Sequence, residues 1–441
     1  MGSYVPNTDK DRQEMLDSIG AKSIEDLYSI IPEEIVLDED LNLPQGLSEL
    51  EVKNKMSKMA SKNVVYKSIF RGCGAYNHYI PSIVNHVTSK EEFVTAYTPY
   101  QAEISQGVLQ SIFEYQTMIC ELTGMDVSNA SVYDGMTAAA EAVIMCLERR
   151  KKKVLISETV HPQTIQTIKT YCLGLDVEII IVPEKNGTTD IEELEKLMDK
   201  DVSSVLVQQP NYYGQIEDCE TIGKIAKQDK GHYIISCNPI SLGLYKTPRE
   251  YGADVAVGDG QALGMPLSYG GPYIGYMATT DKLTRKLPGR IVGQTTDDAG
   301  NRAFVLTLQA REQHIRREKA SSNICSNQAL CAMKVSVYLT SMGEDGLGSV
   351  ATLSMSKAHY LAEQLCKLEN FELKYDGEFF HEFVTTSNSN AYLIMKELEK
   401  HGILGGYPIS DNDIIWCATE MNSKEDIDEL VEVLKEVEVW S

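Results

Sequence analysis

Two patterns of hydrophobic positions divide the chain. Within residues 1–65, apolar positions recur at helical spacing among many acidic side chains, which predicts helices over Asp9–Ile19, 23–31 and 47–62. From about residue 104, continuous runs of Val, Ile and Leu alternate with amphipathic segments. Apolar strands separated by helices predict a mostly parallel sheet that is buried on both faces.

The alternation predicts a definite order of elements. The predicted helices of this part span residues 104–123, 137–150, 161–173 and 191–198. The predicted strands span residues 154–157, 177–182, 204–208, 232–237 and 254–257. Parallel sheets of this class bind ligands beyond the carboxyl ends of their strands, so we expect the functional site there.

The pattern changes again after the predicted sheet. Residues 284–330 are polar and rich in arginine, and the segments that follow predict helices over 328–339, 352–368 and 424–437, with short strands between them. We therefore predict three domains. They are an N-terminal helical arm over 1–65 that wraps a partner or the main body, a large α/β domain over 66–325, and a small α+β domain over 326–441.

Composition narrows the class of protein. The formal net charge of −23 disfavours nucleic acid and anionic membrane surfaces as partners. No apolar run approaches the roughly 20 residues that span a bilayer, and the N-terminus resembles neither a signal nor a transit peptide. The ten cysteines form no Cys-x-x-Cys pair and no metal-spaced cluster. We predict a cytoplasmic protein with reduced thiols and no metal site.

The segment from Asp254 to Pro272 is the most informative one. A strand, a turn and a Gly-Gly-Pro hairpin have the outline of the lysine-bearing segment of a pyridoxal phosphate (PLP) enzyme, but the segment contains no lysine. A PLP enzyme needs that lysine for its resting Schiff base. Gln261 has an amide nitrogen instead, which is not a nucleophile. We therefore expect an enzyme-like fold that does not carry out the covalent chemistry itself.

The helix predicted after Asp134 begins with Gly135 and Thr137. Backbone amides at such a helix start bind phosphate, aided by the helix dipole. The alternative is an ordinary helix cap, in which Asp134 or Thr137 satisfies the free amides. Both interpretations fit the sequence.

Two further positions fit a degenerate cofactor pocket. His161 follows a predicted strand where PLP enzymes of the aspartate aminotransferase fold place a ring that stacks on the cofactor; the alternative is a His that only caps its helix. Asn238 ends another strand, where such enzymes place an Asp that holds the pyridine nitrogen. Since Asn cannot carry that charge, Asn238 and Gln261 are two coordinated losses.

Two loops rich in Tyr, His and amide side chains precede the first long helix of the sheet region. Either they cover the core, or they form a wall that faces a ligand. Two adjacent loops of this kind favour the wall. Its residues are Tyr76, Asn77, His78, Tyr97, Thr98, Tyr100 and Gln101.

Taken together, these residues resemble the glycine decarboxylase (P-protein) family of the glycine cleavage system, and in particular subunit 1 of its two-subunit form. The resemblance covers essentially the whole chain. Its motifs lie at 4–12, 43–50, 98–107, 113–126, 129–135, 209–214 and 311–325. In that family the catalytic subunit has its lysine five residues ahead of a proline that matches Pro266, which places Gln261 at the lysine position.

The resemblance implies a fold, partners and an activity. The fold is that of the aspartate aminotransferase class (fold type I), and the assembly is α2β2 with PLP on subunit 2. Together the subunits would decarboxylate glycine, pass the aminomethyl group to the lipoyl arm of the H-protein and release carbon dioxide. This chain would supply the wall residues named above, which would bind the glycine carboxylate, exclude water and guide the lipoyl arm.

Two rival hypotheses remain open at this point. One is a self-sufficient PLP enzyme that uses another lysine, such as Lys246 or Lys319. The other is a structural or regulatory pseudoenzyme that only stabilises its partner.

Overall fold

The structure is a computed structural model that describes residues 6–438, apart from residues 38, 40, 96, 97, 100, 321, 323 and 325. The chain divides into two compact units, residues 1–64 and 65–441. The predicted boundary near residue 65 lies at this division. The further boundary between residues 325 and 326 stays a prediction.

The elements are numbered here in chain order. The helices are α1 Asp9–Ile19, α2 Glu49–Ala60, α3 Ser82–Thr88, α4 Glu91–Val94, α5 Gln106–Thr123, α6 Gly135–Cys146, α7 Pro162–Tyr171, α8 Ile191–Leu197, α9 Cys219–Ala226, α10 Gln313–Arg316, α11 Ala329–Leu365, α12 Ala391–Lys400 and α13 Lys424–Glu438. The strands are β1 Ser68–Ile69, β2 Val127–Ser128, β3 Lys153–Ser157, β4 Glu178–Val182, β5 Glu184–Lys185, β6 Thr188–Thr189, β7 Val202–Gln209, β8 His232–Cys237, β9 Val255–Asp259, β10 Gly275–Thr279, β11 Ile291–Thr296, β12 Arg302–Thr307, β13 Phe371–Leu373, β14 Glu382–Ser387, β15 Ile403–Leu404, β16 Tyr407–Pro408 and β17 Asp413–Cys417.

The first unit is helical, as its hydrophobic pattern predicts. Thr8 and Ser48 each form a capping box that starts α1 and α2, which satisfies backbone amides of the first turn. The helix predicted over 23–31 is wrong: this stretch contains only the short 3₁₀ turn Glu25–Tyr28. The carboxylate of Asp26 accepts the backbone N–H of Lys22 and so closes a local turn. The isoleucines that follow favour extended structure over helix.

A seven-stranded sheet in the order β2-β10-β9-β8-β7-β3-β4 forms the centre of the second unit. The strands from β9 to β4 pair in parallel, while β10 and β2 are antiparallel at one edge. This confirms the predicted mostly parallel α/β sheet. Parallel strands aim their carboxyl ends at the same edge, so the turns after β7, β8 and β9 lie together.

Both faces of this sheet are buried. Val154 and Ile156 pack into a cluster with α6 and α7, whereas Leu155 between them packs into a second cluster with α5, α9 and α11. Alternate residues of a strand point to opposite faces, which explains this division. The continuous apolar runs in the sequence follow from it.

The C-terminal part contains an antiparallel sheet in the order β13-β14-β17-β16, with its own apolar cluster. The two helices predicted over 328–339 and 352–368 lie within α11, which consists of two helices joined by a kink at Gly343, whose φ is 61°. Glycine tolerates this positive φ, so the chain changes direction there between the two helices.

The polar stretch 284–330 contains a hairpin, β11 with β12, for which the sequence analysis predicted no strands. Val292 and Phe304 pack against α5, while Ile291 on the other face of the hairpin packs into the apolar cluster of α6 and α7. The carboxylate of Asp297 accepts the N–H of Asn301 and closes the turn between the strands. The β-branched residues on both sides of this Asp-Asp-Ala-Gly-Asn turn were the available signal.

No helix within the described residues is both long and apolar enough to cross a membrane. Most of the cysteines that the structure describes are buried thiols, and none of them is in a disulfide. The same residues include no group of three or more His, Cys, Asp or Glu side chains arranged to hold a metal.

Candidate functional site

A cavity of about 90 Å³ lies at the carboxyl ends of β7, β8 and β9, the edge where the parallel sheet predicts a site. We call it the strand-end cavity. Its lining includes residues from both the sheet region and the C-terminal part. They are Gly74, Tyr76, Gly135, Met136, His161, Thr164, Gln208, Pro210, Ser236, Cys237, Asn238, Pro239, Asp259, Gln261, Ala262, His381 and Glu382.

Gln261 is 1% exposed, and its side-chain amide is fully engaged. Its Oε1 accepts the backbone N–H of Tyr76 at 2.8 Å, and its Nε2 donates to the carbonyl of Tyr76 at 3.0 Å and to that of Met265 at 2.8 Å. The amide thus pairs with the backbone of a loop that is distant in sequence. Unpaired backbone groups at this depth would be costly, so Gln261 joins two parts of the fold.

The start of α6 is capped by carboxylates of the chain itself. Asp134 Oδ1 accepts the N–H of Thr137 at 2.8 Å, and Asp259 Oδ2 accepts the N–H of Gly135 at 3.0 Å. A Cβ on Gly135 would lie 2.7 Å from the backbone nitrogen of Asp259, so only glycine allows this approach. Burial raises the pKa of Asp259 to about 7. Two of the amides that a phosphate would use, those of Gly135 and Thr137, are therefore already paired.

Glu382 is the second buried carboxyl of the cavity. It accepts the backbone N–H of Cys73 at 2.6 Å and the hydroxyl of Tyr76 at 2.8 Å. Its burial raises its pKa to about 7. Gly72 is required beside it, because a Cβ there would lie 2.3 Å from Glu382 Oε1. The carboxyl and Gln261 thus hold the same loop from two sides.

His161 lines the cavity and also caps α7. Its Nδ1 accepts the N–H of Gln163, and its Nε2 lies 3.2 Å from the carbonyl of Cys73, which assigns the proton to Nε2. Burial lowers the pKa of His161, so the ring is neutral near pH 7. Its ring contacts Tyr212 edge-on, with centroids 5.0 Å apart. His161 therefore caps its helix, as one interpretation of the sequence predicts, and its stacking on a cofactor ring stays a prediction.

Asn238 occupies the end of β8. Its Oδ1 accepts the N–H of Ile240 at 2.9 Å, and its Nδ2 lies 3.3 Å from His381 Nε2. Burial lowers the pKa of His381, which keeps this ring neutral as well. The amide of Asn238 therefore closes a turn and contacts a neutral imidazole.

The predicted wall residues lie in different surroundings. Tyr76 lines the strand-end cavity, whereas buried His78 contacts Glu420 at 2.7 Å and the carbonyl of Asn77 accepts the hydroxyl of Thr419. Thr98 and Gln101 are not in the cavity lining; Thr98 is half-buried and Gln101 is exposed. Tyr97 and Tyr100 lie outside the described residues.

Asp259, His381 and Glu382 were not singled out from sequence. Asp259 lies two residues after the predicted strand 254–257 and two before Gln261, and that spacing was the available signal. His381 and Glu382 lie more than 100 residues away along the chain, after Phe379 and Phe380. No local pattern shows that β14 brings them to this cavity.

Neither alternative lysine lies at the cavity. Lys246 and Lys319 are exposed, and Lys246 forms an ion pair with Glu220 at 3.7 Å. Among the described residues that line the cavity there is neither a lysine nor an arginine.

The strand-end cavity does not fit PLP. Gln261 cannot form a Schiff base, and Asn238 cannot carry the charge that holds a pyridinium. The amides of Gly135 and Thr137 at the start of α6 are occupied by Asp259 and Asp134, so a phosphate would have to displace these side chains. A cofactor step on this chain therefore has no support in its geometry.

Comparisons with known proteins agree with this architecture. The chain is 52% identical over 98% of its length to a probable glycine dehydrogenase (decarboxylating) subunit 1 of Carboxydothermus hydrogenoformans, and it covers 99% of that relative. A crystal structure of glycine decarboxylase (P-protein) in inhibitor-bound form superposes with a TM-score of 0.93 and 40% identity, over 99% of this chain and 100% of that one.

More distant structures share only the fold. A variant of the protein C-DES with glycine linked to its PLP cofactor superposes with a TM-score of 0.64 at 14% identity, over 86% of this chain and 98% of that one. This confirms the predicted fold type I. The family model described as glycine cleavage system P-protein matches residues 2–434. The chain therefore belongs to the glycine cleavage system P-protein family.

Proposed function

We propose that this chain is the non-catalytic subunit of a two-subunit glycine decarboxylase, glycine dehydrogenase (decarboxylating), within the glycine cleavage system. In this proposal it assembles with subunit 2 as α2β2, and subunit 2 carries PLP. The complex decarboxylates glycine, transfers the aminomethyl group to the lipoyl arm of the H-protein and releases carbon dioxide. We place the complex in the cytoplasm, in line with the buried thiols.

The engaged amide of Gln261 carries this proposal. It occupies the position that the family resemblance gives to the lysine, and its hydrogen bonds to Tyr76 and Met265 leave it no role as a nucleophile. The naming of a full-length relative as subunit 1 supports the same division of labour.

The role that we propose for this chain is to complete the active site of subunit 2. The loop held by Gln261 and Glu382 includes Tyr76, and Asn77 and His78 follow it directly. A loop that is fixed on both sides can present side chains to a partner without further ordering. Thr98, Gln101, Tyr97 and Tyr100 belong to the second part of the same proposed wall.

The first experiment is to record the visible absorbance of the purified chain with added PLP, followed by treatment with borohydride. We expect no aldimine band and no reducible adduct. Subunit 2 is then added, and glycine–bicarbonate exchange is measured with this chain present or omitted. Exchange that requires both subunits supports the proposal, whereas an adduct on one lysine of this chain would overturn it.

A purely structural subunit is the second candidate, and the internal pairing of the strand-end cavity favours it. Substituting Tyr97 or Tyr100 by Phe in the complex separates the two. An active-site wall predicts a higher KM for glycine or a lower kcat in at least one variant. Unchanged kinetics in both variants, as in the exposed control Tyr392→Phe, would favour the structural role.

A further inference from the structure

A second cavity, of about 550 Å³, lies beside the β11–β12 hairpin and the Arg-rich motif that follows it. We call it the hairpin cavity. The proposed function uses none of its groups. The polar side chains that line it are Arg290, Gln309, Glu312, Gln313, His314 and Arg317. The chain has a formal net charge of −23, and the two guanidinium groups give this cavity a local positive charge.

The wall of the hairpin cavity is fixed by hydrogen bonds. Arg311 Nη2 donates to the carbonyl of Gly289 at 2.6 Å, which ties the motif to the residue before Arg290. Arg316 Nε donates to the carbonyl of Ala310 at 3.2 Å, and the N–H of Glu312 donates to the carbonyl of Gln309. The side chains at the cavity therefore project from an ordered turn.

Glu312 has a carboxylate oxygen that lacks a hydrogen-bond donor. Its side chain is only 10% exposed, and its Oε1 is buried without a hydrogen-bond partner. The nearest basic group, His314 Nδ1, is 3.6 Å from the other oxygen, Oε2. A buried carboxylate oxygen without a donor is destabilising, so a ligand that brings an N–H donor would be favoured here.

A guanidinium group supplies a second contact for a ligand. Arg317 lines the same cavity. Guanidinium groups recognise carboxylates through paired, charge-assisted hydrogen bonds. A simple anion would leave Glu312 without a donor, and a simple cation would face Arg317. A ligand with an ammonium and a carboxylate on one small skeleton satisfies both.

We infer that the hairpin cavity binds a small α-amino acid, with its ammonium group toward Glu312 and its carboxylate toward Arg317. The inference rests on the cavity alone and does not require the decarboxylation proposed above. Binding is a property of this chain, which can be measured in the absence of subunit 2.

The test is calorimetric titration of the full chain with glycine, acetate and methylammonium in separate experiments. Glycine carries both charges, and each of the other probes carries one. We expect glycine to bind at least about tenfold more tightly than either, which corresponds to one lost charged contact. Acetate binding as tight as glycine would reduce the site to an anion site. That result, or no saturation by glycine at about 10 mM, would overturn the inference.

A matched pair of variants assigns the binding to this cavity. Glu312→Gln should weaken glycine binding about tenfold and leave acetate binding intact, because it removes only the charge that the ammonium meets. Glu318→Gln changes an exposed carboxylate of the same segment and should alter neither. Glycine binding that survives Glu312→Gln unchanged would place it elsewhere and refute the assignment.

Arg317→Gln is the second variant, and circular dichroism shows whether each variant is folded. It should weaken glycine and acetate binding together, since both carboxylates lose the same guanidinium. If neither variant folds, the comparison of the three probes on the unaltered chain still decides the inference. Exchange activity with subunit 2 is recorded separately: loss of exchange with intact glycine binding would count against the proposed function alone.

Discussion

The strand-end cavity and the hairpin cavity differ in how their buried carboxyl groups are paired. In the strand-end cavity, Asp259 and Glu382 both bond to backbone or side-chain groups of the chain itself, as does the amide of Gln261, while His381 Nδ1 is buried without a hydrogen-bond partner. In the hairpin cavity, Glu312 Oε1 is buried without a partner. Groups that satisfy one another stabilise a fold, whereas an unsatisfied group favours a ligand. The site inherited from an enzyme fold is thus the more structural of the two.

Among the substitutions that test this comparison, Gln261→Leu should lower the unfolding free energy most. It removes three hydrogen bonds and leaves the N–H and carbonyl of Tyr76 unpaired in a buried place. We expect a loss of about 2–4 kcal/mol of unfolding free energy, measured by urea titration. Gln101→Leu changes an exposed glutamine and should stay within about 0.5 kcal/mol. Equal, small effects would mean that Gln261 does not join the two segments.

The pH dependence of stability tests the buried carboxyls. Burial raises the pKa of Glu382 from 4.5 to about 7, so between these values the unfolded chain releases a proton that the folded chain retains. The contribution of Glu382 to the unfolding free energy is greatest at acidic pH, falls as pH rises through this window, and is constant above it. Asp259, whose pKa burial also raises to about 7, adds a slope of the same sign.

Glu382→Gln removes one of these titrations. Relative to the unaltered chain, its unfolding free energy should rise between pH 5 and 7, by at most about 1.4 kcal/mol per pH unit. Urea titrations at several pH values measure the difference, and Glu378→Gln is the exposed control. A difference that does not change with pH would show that Glu382 is ionised in the folded chain throughout this range.

The smallest change in unfolding free energy is expected for a substitution at the start of α6. Asp134→Ala removes the cap on the N–H of Thr137 and should cost about 1 kcal/mol. Asp190→Ala removes an equivalent cap from α8 and is the matched comparison, by urea titration. Similar losses would show that Asp134 acts as an ordinary cap. A gain of phosphate binding by Asp134→Ala, seen by calorimetry, would show that the helix start remains a usable anion site.

The sequence predicted the fold where local signals were sufficient. Asp9–Ile19 and His232–Cys237 have the predicted bounds, because a capping box starts the first and an apolar run defines the second. The lack of a lysine between Asp254 and Pro272 was likewise visible in the sequence.

The rest depends on contacts between distant parts of the chain. Glu382 bonds to Tyr76 across 306 positions, and Gln261 reaches the same residue across 185. The hairpin β11–β12 was missed because each strand mixes apolar with polar residues and shows neither a continuous apolar run nor a strict alternation. The sequence therefore showed which group is missing at residue 261, but not what the glutamine does in its place.

The amide of Gln261 also bears on how this chain could change over evolutionary time. A lysine at this position could not accept the N–H of Tyr76, so a mutant would lose stability before gaining any chemistry. A working site would further require new residues at Asn238, Asp134 and Asp259. The glutamine therefore has a structural role that a lysine cannot take over, so restoring the lysine alone would cost stability without restoring the chemistry.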